Sequence, residues 1–132
     1  TPEEKAQDIW SAPAGMVTIE TMAPVLIDGV NHGRISWSRL AEVLSEAPAK
    51  MFGLYPSKGS LEVGTDADIT IIDPDMEYVM DQTKLHSRTK LSPFDGRHMK
   101  GKPVCTIVRG KTVMKDGEIK GDPSGRFIRP ER

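Results

Sequence analysis

The sequence predicts an α+β protein, with helices in the first half of the chain and antiparallel strands in the second. Up to about residue 47, apolar residues recur at three- and four-residue spacing, which is the period of one helical face. After residue 68, short runs rich in β-branched residues take over, and some of them are separated by dipeptides that form tight turns. The stretch 55–68 between the two parts is rich in turn-forming residues and is predicted to be a linker.

Two helices are predicted before residue 30. The first four residues, Thr-Pro-Glu-Glu, have the order of a helix start: a hydroxyl cap at Thr1, then a proline, then acids at the positive end of the helix dipole. A loop is predicted over 11–18 and a second helix over about 20–29, with Pro24 in its first turn. The apolar face of the second helix is predicted to contain Ile19, Met22, Ala23, Leu26, Ile27 and Val30.

A third amphipathic helix is predicted to begin at the cap residue Ser36. Pro48 ends or restarts this helix, and a last helical turn stops at Gly53. Its apolar side is predicted to contain Trp37, Leu40, Ala41, Leu44 and Ala47.

The second half of the chain contains the predicted strands. Residues 69–72 are mostly β-branched and end at Asp73-Pro74, which predicts a strand with two buried faces. Residues 76–81 favour a second strand. Residues 104–119 predict an antiparallel meander, because two dipeptides, Arg-Gly and Asp-Gly, supply the glycine that a tight hairpin needs. The tail from residue 121 is predicted to be extended and anchored at most by Phe127 and Ile128.

Length and composition limit the possible functions. A chain of 132 residues with 37% hydrophobic and 28% charged residues is long enough for one modest core. Its formal net charge of -1 is unlike that of a basic nucleic-acid-binding protein. No apolar run approaches the roughly 20 residues that span a bilayer. The one cysteine, Cys105, cannot form an internal disulfide, so the sequence fits a reducing cytoplasm.

No group of residues forms a recognised catalytic or metal site by spacing alone. His32, His86 and His98 lie far apart and form no H-x-H or H-E-x-x-H pattern, so each is interpreted as a surface or hydrogen-bonded histidine. Asp66 and Asp68 resemble paired carboxylates. At a turn that enters a strand, however, we expect them to accept backbone hydrogen bonds.

Two further patterns do not indicate chemistry either. The glycines at 59 and 64 satisfy G-x-x-x-x-G, but Thr65-Asp66 replaces the residues that would contact phosphate and magnesium. Cys105 alternates with apolar neighbours and is expected to be a small buried hydrophobe. Four methionines are expected to fill the core: Met76, Met80, Met99 and Met114.

Four longer stretches follow one another along the chain: ETMAPVLIDGVNHGRIS, LSEAPAKMFGLYPSKGSLEVGTDADITIIDP, LHSRTKLSPFDG and GKPVCTIVRGKTVMKDGEI. In this order and at these separations they resemble the C-terminal part of the cyclic amidohydrolases, the group that contains dihydroorotase, hydantoinase or dihydropyrimidinase, and allantoinase. The motif GTDADI recurs across the wider amidohydrolase superfamily. The run 47–74 followed by 85–96 is more specific.

This resemblance implies a (β/α)8-barrel enzyme with a small β-sandwich, built from chain on both sides of the barrel. Residues 1–58 would be the C-terminal end of the barrel with its last helices, and residues 59–132 would supply antiparallel strands of the sandwich. A segment over 84–98 would cross from the sandwich towards the barrel, with Phe94 buried and His86 hydrogen-bonded.

The resemblance also implies a reaction at two zinc ions. In the family, histidines, a carboxylated lysine and an aspartate hold the metals, which generate the hydroxide that attacks a cyclic amide. The matching aspartate stretch would precede Thr1. We therefore expect both zinc ions to be bound by residues upstream of residue 1, with no catalytic residue and no metal ligand in this chain, and we expect the isolated chain to be inactive.

Ala12 to Gly15 matches the loop after the eighth barrel strand, where such enzymes keep their active-site face. Relatives use backbone groups of this loop to hold the cyclic amide or imide. The resemblance therefore makes the backbone of Ala14 and Gly15 the candidate substrate contact, and a purely structural loop fits this stretch equally well.

The sequence therefore predicts the C-terminal part of a cytoplasmic cyclic amidohydrolase of the dihydroorotase or hydantoinase type. Its expected partner is a small cyclic amide or imide, with no nucleic acid and no membrane. A homo-oligomer is expected, because uncovered strand edges and apolar patches invite association. Two alternatives stay open: a non-catalytic scaffold related to dihydropyrimidinase, and an independent α+β interaction module.

Overall fold

The computed structural model describes residues 2–130, and it places helices before strands along the chain. The α+β prediction is confirmed, while the predicted cap at Thr1 lies outside the described residues. The helices are α1 (Pro2–Lys5), α2 (Met22–Asn31), α3 (Trp37–Ala41), a π-helix (Glu42–Glu46) and α4 (Ala47–Met51). The strands are β1 (Ile69–Val79), β2 (His98–Val108), β3 (Lys111–Lys115) and β4 (Glu118–Ile119), with a 3-10 turn (Gln82–Lys84) between β1 and β2.

The helical run from α3 to α4 is continuous but widens in its middle. Ser36 caps its start as predicted, because its hydroxyl oxygen accepts a hydrogen bond of 3.2 Å from the N–H of Arg39. The N–H of Ala47 donates to the carbonyl of Glu42, five residues back, which is the bond of a π turn. This wide turn comes immediately before Pro48, which has no N–H to continue the regular ladder. Pro48 thus coincides with a change of helical pitch and not with the end of the helix.

The predicted apolar faces of the helices are only partly buried. In α2, Ile27 is 1% exposed, but Ile19 lies before the helix and is 88% exposed. In α3, Leu40 is buried, whereas Trp37 and Ala41 are exposed. Within the described residues, Leu40 is therefore the one fully buried side chain of α3.

Strand β1 corrects two sequence predictions. It runs through Asp73-Pro74, where the sequence predicted a break between two strands. Asp73 Oδ1 accepts hydrogen bonds from the N–H groups of Asp75 and Met76, at 2.9 and 3.1 Å, and the pairing with β2 shifts register here. Pro74 lies in this bulge, where no ladder hydrogen bond is required of it. The prediction that both faces of the strand are buried is also wrong, because β1 lies at the sheet edge and Ile71 is 47% exposed.

The two predicted hairpins are confirmed. Arg109 and Gly110 join β2 to β3 with φ of 47° and 75°, and Asp116 and Gly117 join β3 to β4 with φ of 52° and 84°. A type I′ turn requires positive φ at both central residues, and its twist matches that of the two strands that it joins. Strand β2 begins at His98, six residues earlier than predicted. The four strands form one antiparallel sheet in the order β1-β2-β3-β4.

The core lies where the segment between β1 and β2 meets α2 and the sheet. Its buried side chains are Met80, Leu85 and Met99, and the half-buried Val25, Tyr78 and Phe94 pack against them. Two of the four methionines expected in the core are therefore there, while Met76 is 38% exposed. Phe127 is 86% exposed, so the predicted anchoring of the tail through its ring is wrong.

A buried carboxylate joins α2 to β2. Asp28 is 1% exposed and accepts hydrogen bonds from Arg97 Nη2 at 2.8 Å and from the N–H of Lys100 at 3.0 Å. Gly101 follows with φ of 89° and lies against Ile27, where a Cβ atom would collide. This close contact fixes α2 over the sheet. The division of the chain at residues 58 and 59 stays a prediction.

Candidate functional site

A cleft of about 570 Å³ lies between the loop that precedes α2 and the segment that connects β1 to β2. We call it the loop cleft. One wall consists of Lys5, Ala14, Gly15, Met16 and Val17, and the other consists of Thr89, Leu91, Ser92 and Pro93. The structure thus places the two candidate substrate-contact residues opposite the predicted crossing segment. The spacing of residues along the chain did not predict that these two stretches face each other.

The first wall of the loop cleft offers hydrogen-bond donors. Gly15 has φ of 88°, a conformation that favours glycine. The backbone N–H groups of Ala14, Gly15 and Met16 donate to no oxygen atom within residues 2–130. The carbonyl oxygens of Pro13 and Gly15, by contrast, both accept hydrogen bonds from Lys5 Nζ, the second at 2.6 Å. The loop therefore has free donors, and two of its acceptors are occupied.

The second wall is held by contacts behind it. Ser92 is 6% exposed, and its N–H donates to Gln82 Oε1 at 3.0 Å. Its hydroxyl oxygen accepts a hydrogen bond of 3.2 Å from the N–H of Phe94. Among the described residues that line the loop cleft, Lys5 is the ionisable one. The cleft is thus suited to a small ligand with carbonyl oxygens and apolar faces.

Glu20 connects the two walls. One carboxylate oxygen accepts hydrogen bonds from the N–H and Nδ1 of His86, at 2.9 and 3.0 Å. The other accepts from the N–H and Oγ of Ser87, at 2.7 and 2.8 Å. Desolvation would raise the pKa of Glu20, but the hydrogen bonds from His86 and Ser87 outweigh it and lower the pKa to about 2. Glu20 is therefore ionised at any physiological pH.

His86 has a structural role in this arrangement. Its imidazole contacts Glu20, and 54% of its side chain is exposed. This confirms the prediction that His86 is hydrogen-bonded. Sequence reasoning missed Glu20 and Lys5, because their partners are mostly backbone groups that carry no signature in the sequence.

A second cavity, of about 310 Å³, lies between α2 and β2. It brings together His32 and His98, which are distant in the sequence, next to Asp28. The Tyr78 hydroxyl also lies here, buried and without a hydrogen-bond partner in the described part of the chain. Burial raises the pKa of Tyr78, and the charge of Asp28 adds to the effect. Across residues 2–130, no three side chains of His, Cys, Asp or Glu are arranged to hold a metal ion.

The two carboxylates of the linker bind a lysine. Asp68 Oδ1 accepts a hydrogen bond of 2.7 Å from the N–H of Arg109, which confirms the prediction for this residue. Lys58 Nζ lies 2.8 Å from Asp66 Oδ2 and also contacts Asp68. Desolvation would raise the pKa of Asp68, but Lys58 and Arg109 outweigh it and lower that pKa. These residues join the linker to the first hairpin and form a structural ion pair.

Comparison with known proteins identifies the class of this chain. The model of the amidohydrolase family matches residues 10–113. The L-hydantoinase of Paenarthrobacter aurescens is 47% identical over 92% of this chain and 27% of its own length. The allantoinase of Rubrobacter xylanophilus is 41% identical over 99% of this chain and 29% of its own length. The dihydroorotase of Methanothermobacter thermautotrophicus is 41% identical over 98% of this chain and 30% of its own length.

Solved structures agree with these relatives. An L-hydantoinase from Arthrobacter aurescens superposes with a TM-score of 0.84 at 46% identity, over 87% of this chain and 26% of the other. This chain therefore belongs to the amidohydrolase family. It spans less than a third of the length of the curated relatives that it matches. In the part of the chain that the structure describes, no helix is long and apolar enough to cross a membrane.

Proposed function

We propose that this chain is the C-terminal, substrate-facing part of a cyclic amidohydrolase of the dihydroorotase or hydantoinase type. The enzyme would hydrolyse a C–N bond of a cyclic amide or imide. The observation that carries this proposal is the loop cleft, which is lined by residues 14–16 of an amidohydrolase-family chain, whose N–H groups have no acceptor within residues 2–130. The helices would then be the last ones of a (β/α)8 barrel, and the sheet would be one layer of a β-sandwich.

The loop cleft would recognise the ring through its carbonyl oxygens. Backbone N–H groups hold a carbonyl oxygen with fixed geometry and without the entropy cost of ordering a side chain. The side chains of Val17, Leu91 and Pro93 would contact the faces of the ring and exclude water from it. In this role, Ala14 and Gly15 bind and orient the substrate and do not transfer protons.

Amidohydrolases are in general metal-dependent, and the two zinc ions that the resemblance implies do not fit the described residues of this chain. No group of three suitable donors occurs in residues 2–130. We propose that both zinc ions are held by residues upstream of Thr1, in a longer polypeptide that carries this chain. The single cysteine is compatible with the cytoplasm, where we propose that the enzyme acts as a homo-oligomer.

The test compares the isolated chain with the full-length polypeptide that carries it. Both are purified, supplied with zinc and assayed with dihydroorotate, hydantoin and allantoin. We expect the full-length protein to hydrolyse one of the three and the isolated chain to hydrolyse none. Turnover by the isolated chain, or zinc binding by it at one or two equivalents in a metal titration, would contradict the assignment of the metal ligands to the upstream part.

A second candidate is a non-catalytic relative. A domain described as an inactive dihydroorotase-like domain, from a multifunctional protein of Chaetomium thermophilum, has the same fold with a TM-score of 0.57 at 21% identity. The fold of this chain is thus compatible with a protein that has lost its reaction. The upstream sequence distinguishes the two candidates, because a scaffold would lack the histidines and the aspartate that hold the metals in the family. Absence of turnover by the full-length protein on all three substrates would favour the scaffold.

A further inference from the structure

Lys5 contacts the loop that the proposed function assigns to substrate binding, and no sequence pattern pointed to it. Its ammonium group reaches from the end of α1 to the carbonyl oxygens of Pro13 and Gly15. Lys5 also lines the loop cleft, where it is the one ionisable residue among those of residues 2–130. A single side chain therefore bridges α1 and the candidate substrate loop, eight and ten residues further along the chain.

We propose that Lys5 is a positioning residue, which holds residues 13–16 as a surface of hydrogen-bond donors so that the loop cleft selects ligands by their carbonyl oxygens. This inference rests on the proposed function, because it concerns the same site. It adds a residue outside the loop itself, and it states which backbone groups of the loop would face the ligand.

The geometry of the peptide bond supports this role. In a trans peptide the C=O of one residue and the N–H of the next point in opposite directions within one plane. When Lys5 draws the carbonyls of Pro13 and Gly15 towards itself, the N–H groups of Ala14 and Met16 must point away from the ammonium group. These are N–H groups without an acceptor in the described residues. Gly15, with φ of 88°, permits the backbone to bring both carbonyls to one cation.

A charged donor suits this task better than a neutral one. Hydrogen bonds from an ammonium group are shorter and about twice as strong as those between neutral groups. Two carbonyls bound to one ammonium group also resist rotation of their peptide planes. Without Lys5, either peptide could turn and offer its oxygen to the cleft, where it would repel a ligand carbonyl.

Lys5 could instead contact the ligand directly through its charge. The two roles make different predictions for neutral and anionic rings. Replacing a positioning residue should weaken the binding of all cyclic imides equally, because the loop binds a group that they share. A contact residue affects mainly ligands that carry a carboxylate.

The experiment uses the full-length polypeptide and its variants Lys5→Met, Lys5→Arg and the matched control Lys120→Met, which removes a lysine charge beside Glu118, outside the loop cleft. Calorimetry gives the Kd of glutarimide, a neutral cyclic imide, and of orotate, an anionic one. Steady-state kinetics gives kcat and KM for the best of the three substrates named above. Thermal melting reports whether each variant is folded.

We expect Lys5→Met to raise the Kd of glutarimide and the Kd of orotate by the same factor, about fivefold to tenfold. A change of this size corresponds to the loss of one or two hydrogen bonds to the ligand. KM should rise in step while kcat changes little. Lys5→Arg should restore most of the affinity, and the control should match wild type. If Lys5→Met is unfolded, Lys5→Gln, which keeps a neutral donor, is judged by the same criteria.

Two results would overturn the inference. If only orotate loses affinity, Lys5 recognises the charge of the ligand directly. If neither ligand loses affinity, the loop holds its conformation without Lys5. Failure of the proposed function is a different result, since wild-type protein would then turn over no substrate, whatever residue occupies position 5.

Discussion

The carboxylate of Glu20 accepts two hydrogen bonds from His86, one from the backbone N–H at 2.9 Å and one from the imidazole Nδ1 at 3.0 Å. Glu20 follows the first wall of the loop cleft by three residues, and His86 precedes the second wall by three residues. The pair therefore helps to link the two walls. Removing it should loosen both the fold and the cleft.

Replacing Glu20 by glutamine tests this link. Glu20→Gln keeps the size of the side chain but replaces one carboxylate oxygen by an NH2 group, so either His86 or Ser87 loses its hydrogen-bond acceptor. We expect a loss of about 2 kcal/mol in the free energy of unfolding, measured by urea denaturation, since hydrogen bonds to a charged group are each worth about 1.5–3 kcal/mol. Glu62→Gln is the control, because this exposed residue lies in the linker. Equal stability of the two variants would contradict the structural role of Glu20.

The same carboxylate should make stability depend on acid pH. Its pKa falls from the ordinary value of 4.5 to about 2 in the folded chain, so folding favours the ionised form. This contribution is complete above pH 4.5 and is lost as pH falls through about 2. The difference in unfolding free energy between wild type and Glu20→Gln should therefore shrink between pH 5 and pH 2. A difference that stays constant over this window would show that the charge of Glu20 does not stabilise the fold.

The contact between α2 and β2 can be tested at Gly101. A Cβ at this position would collide with Ile27 Cγ2 and lie 2.8 Å from Asn31 Nδ2, at a φ of 89°. We expect Gly101→Ala to lower the unfolding free energy by about 3 kcal/mol or more, through overpacking and backbone strain together. Gly110→Ala is the matched control: its φ is 75°, but a Cβ there has no neighbour within 4 Å. Gly110→Ala should lower the unfolding free energy by only about 1 kcal/mol, which is the cost of the strained backbone conformation. Similar losses in both variants would mean that α2 does not pack closely on β2.

The isolated chain should associate with itself. Several large apolar side chains of the described residues are almost fully exposed, among them Trp10 at 93% and Ile19 at 88%. Apolar surface of this kind promotes association in water. We expect dimers or larger assemblies in analytical ultracentrifugation, with dissociation on dilution and a shift towards monomer in the double variant Trp10→Ser and Ile19→Ser. A monodisperse monomer with a cooperative melt would instead favour the independent interaction module.

Sequence patterns predicted the parts of the fold that depend on neighbouring residues. The cap at Ser36 and the hairpin dipeptides Arg109-Gly110 and Asp116-Gly117 were predicted because each requires a residue type at a fixed local position. The continuity of β1 through Pro74 was missed, since the bulge exists only in register with β2. The exposure of Ile71 was missed for the same reason, because a strand's place in the sheet is not encoded in its own residues.

The candidate site was only partly accessible to sequence reasoning. Family resemblance, and not spacing, pointed to Ala14 and Gly15. Lys5 and Glu20 gave no signal, because the atoms that they bind are chiefly backbone groups that every residue type possesses.

The span of 66 residues between Glu20 and His86 also bears on folding. Contacts that close such long segments form late, because the chain must first lose the entropy of the segment between them. The hairpins close over a few residues and form early. A ribosome must therefore release residue 93 before the two walls of the loop cleft can meet, so the cleft forms only after both halves of this chain have been made.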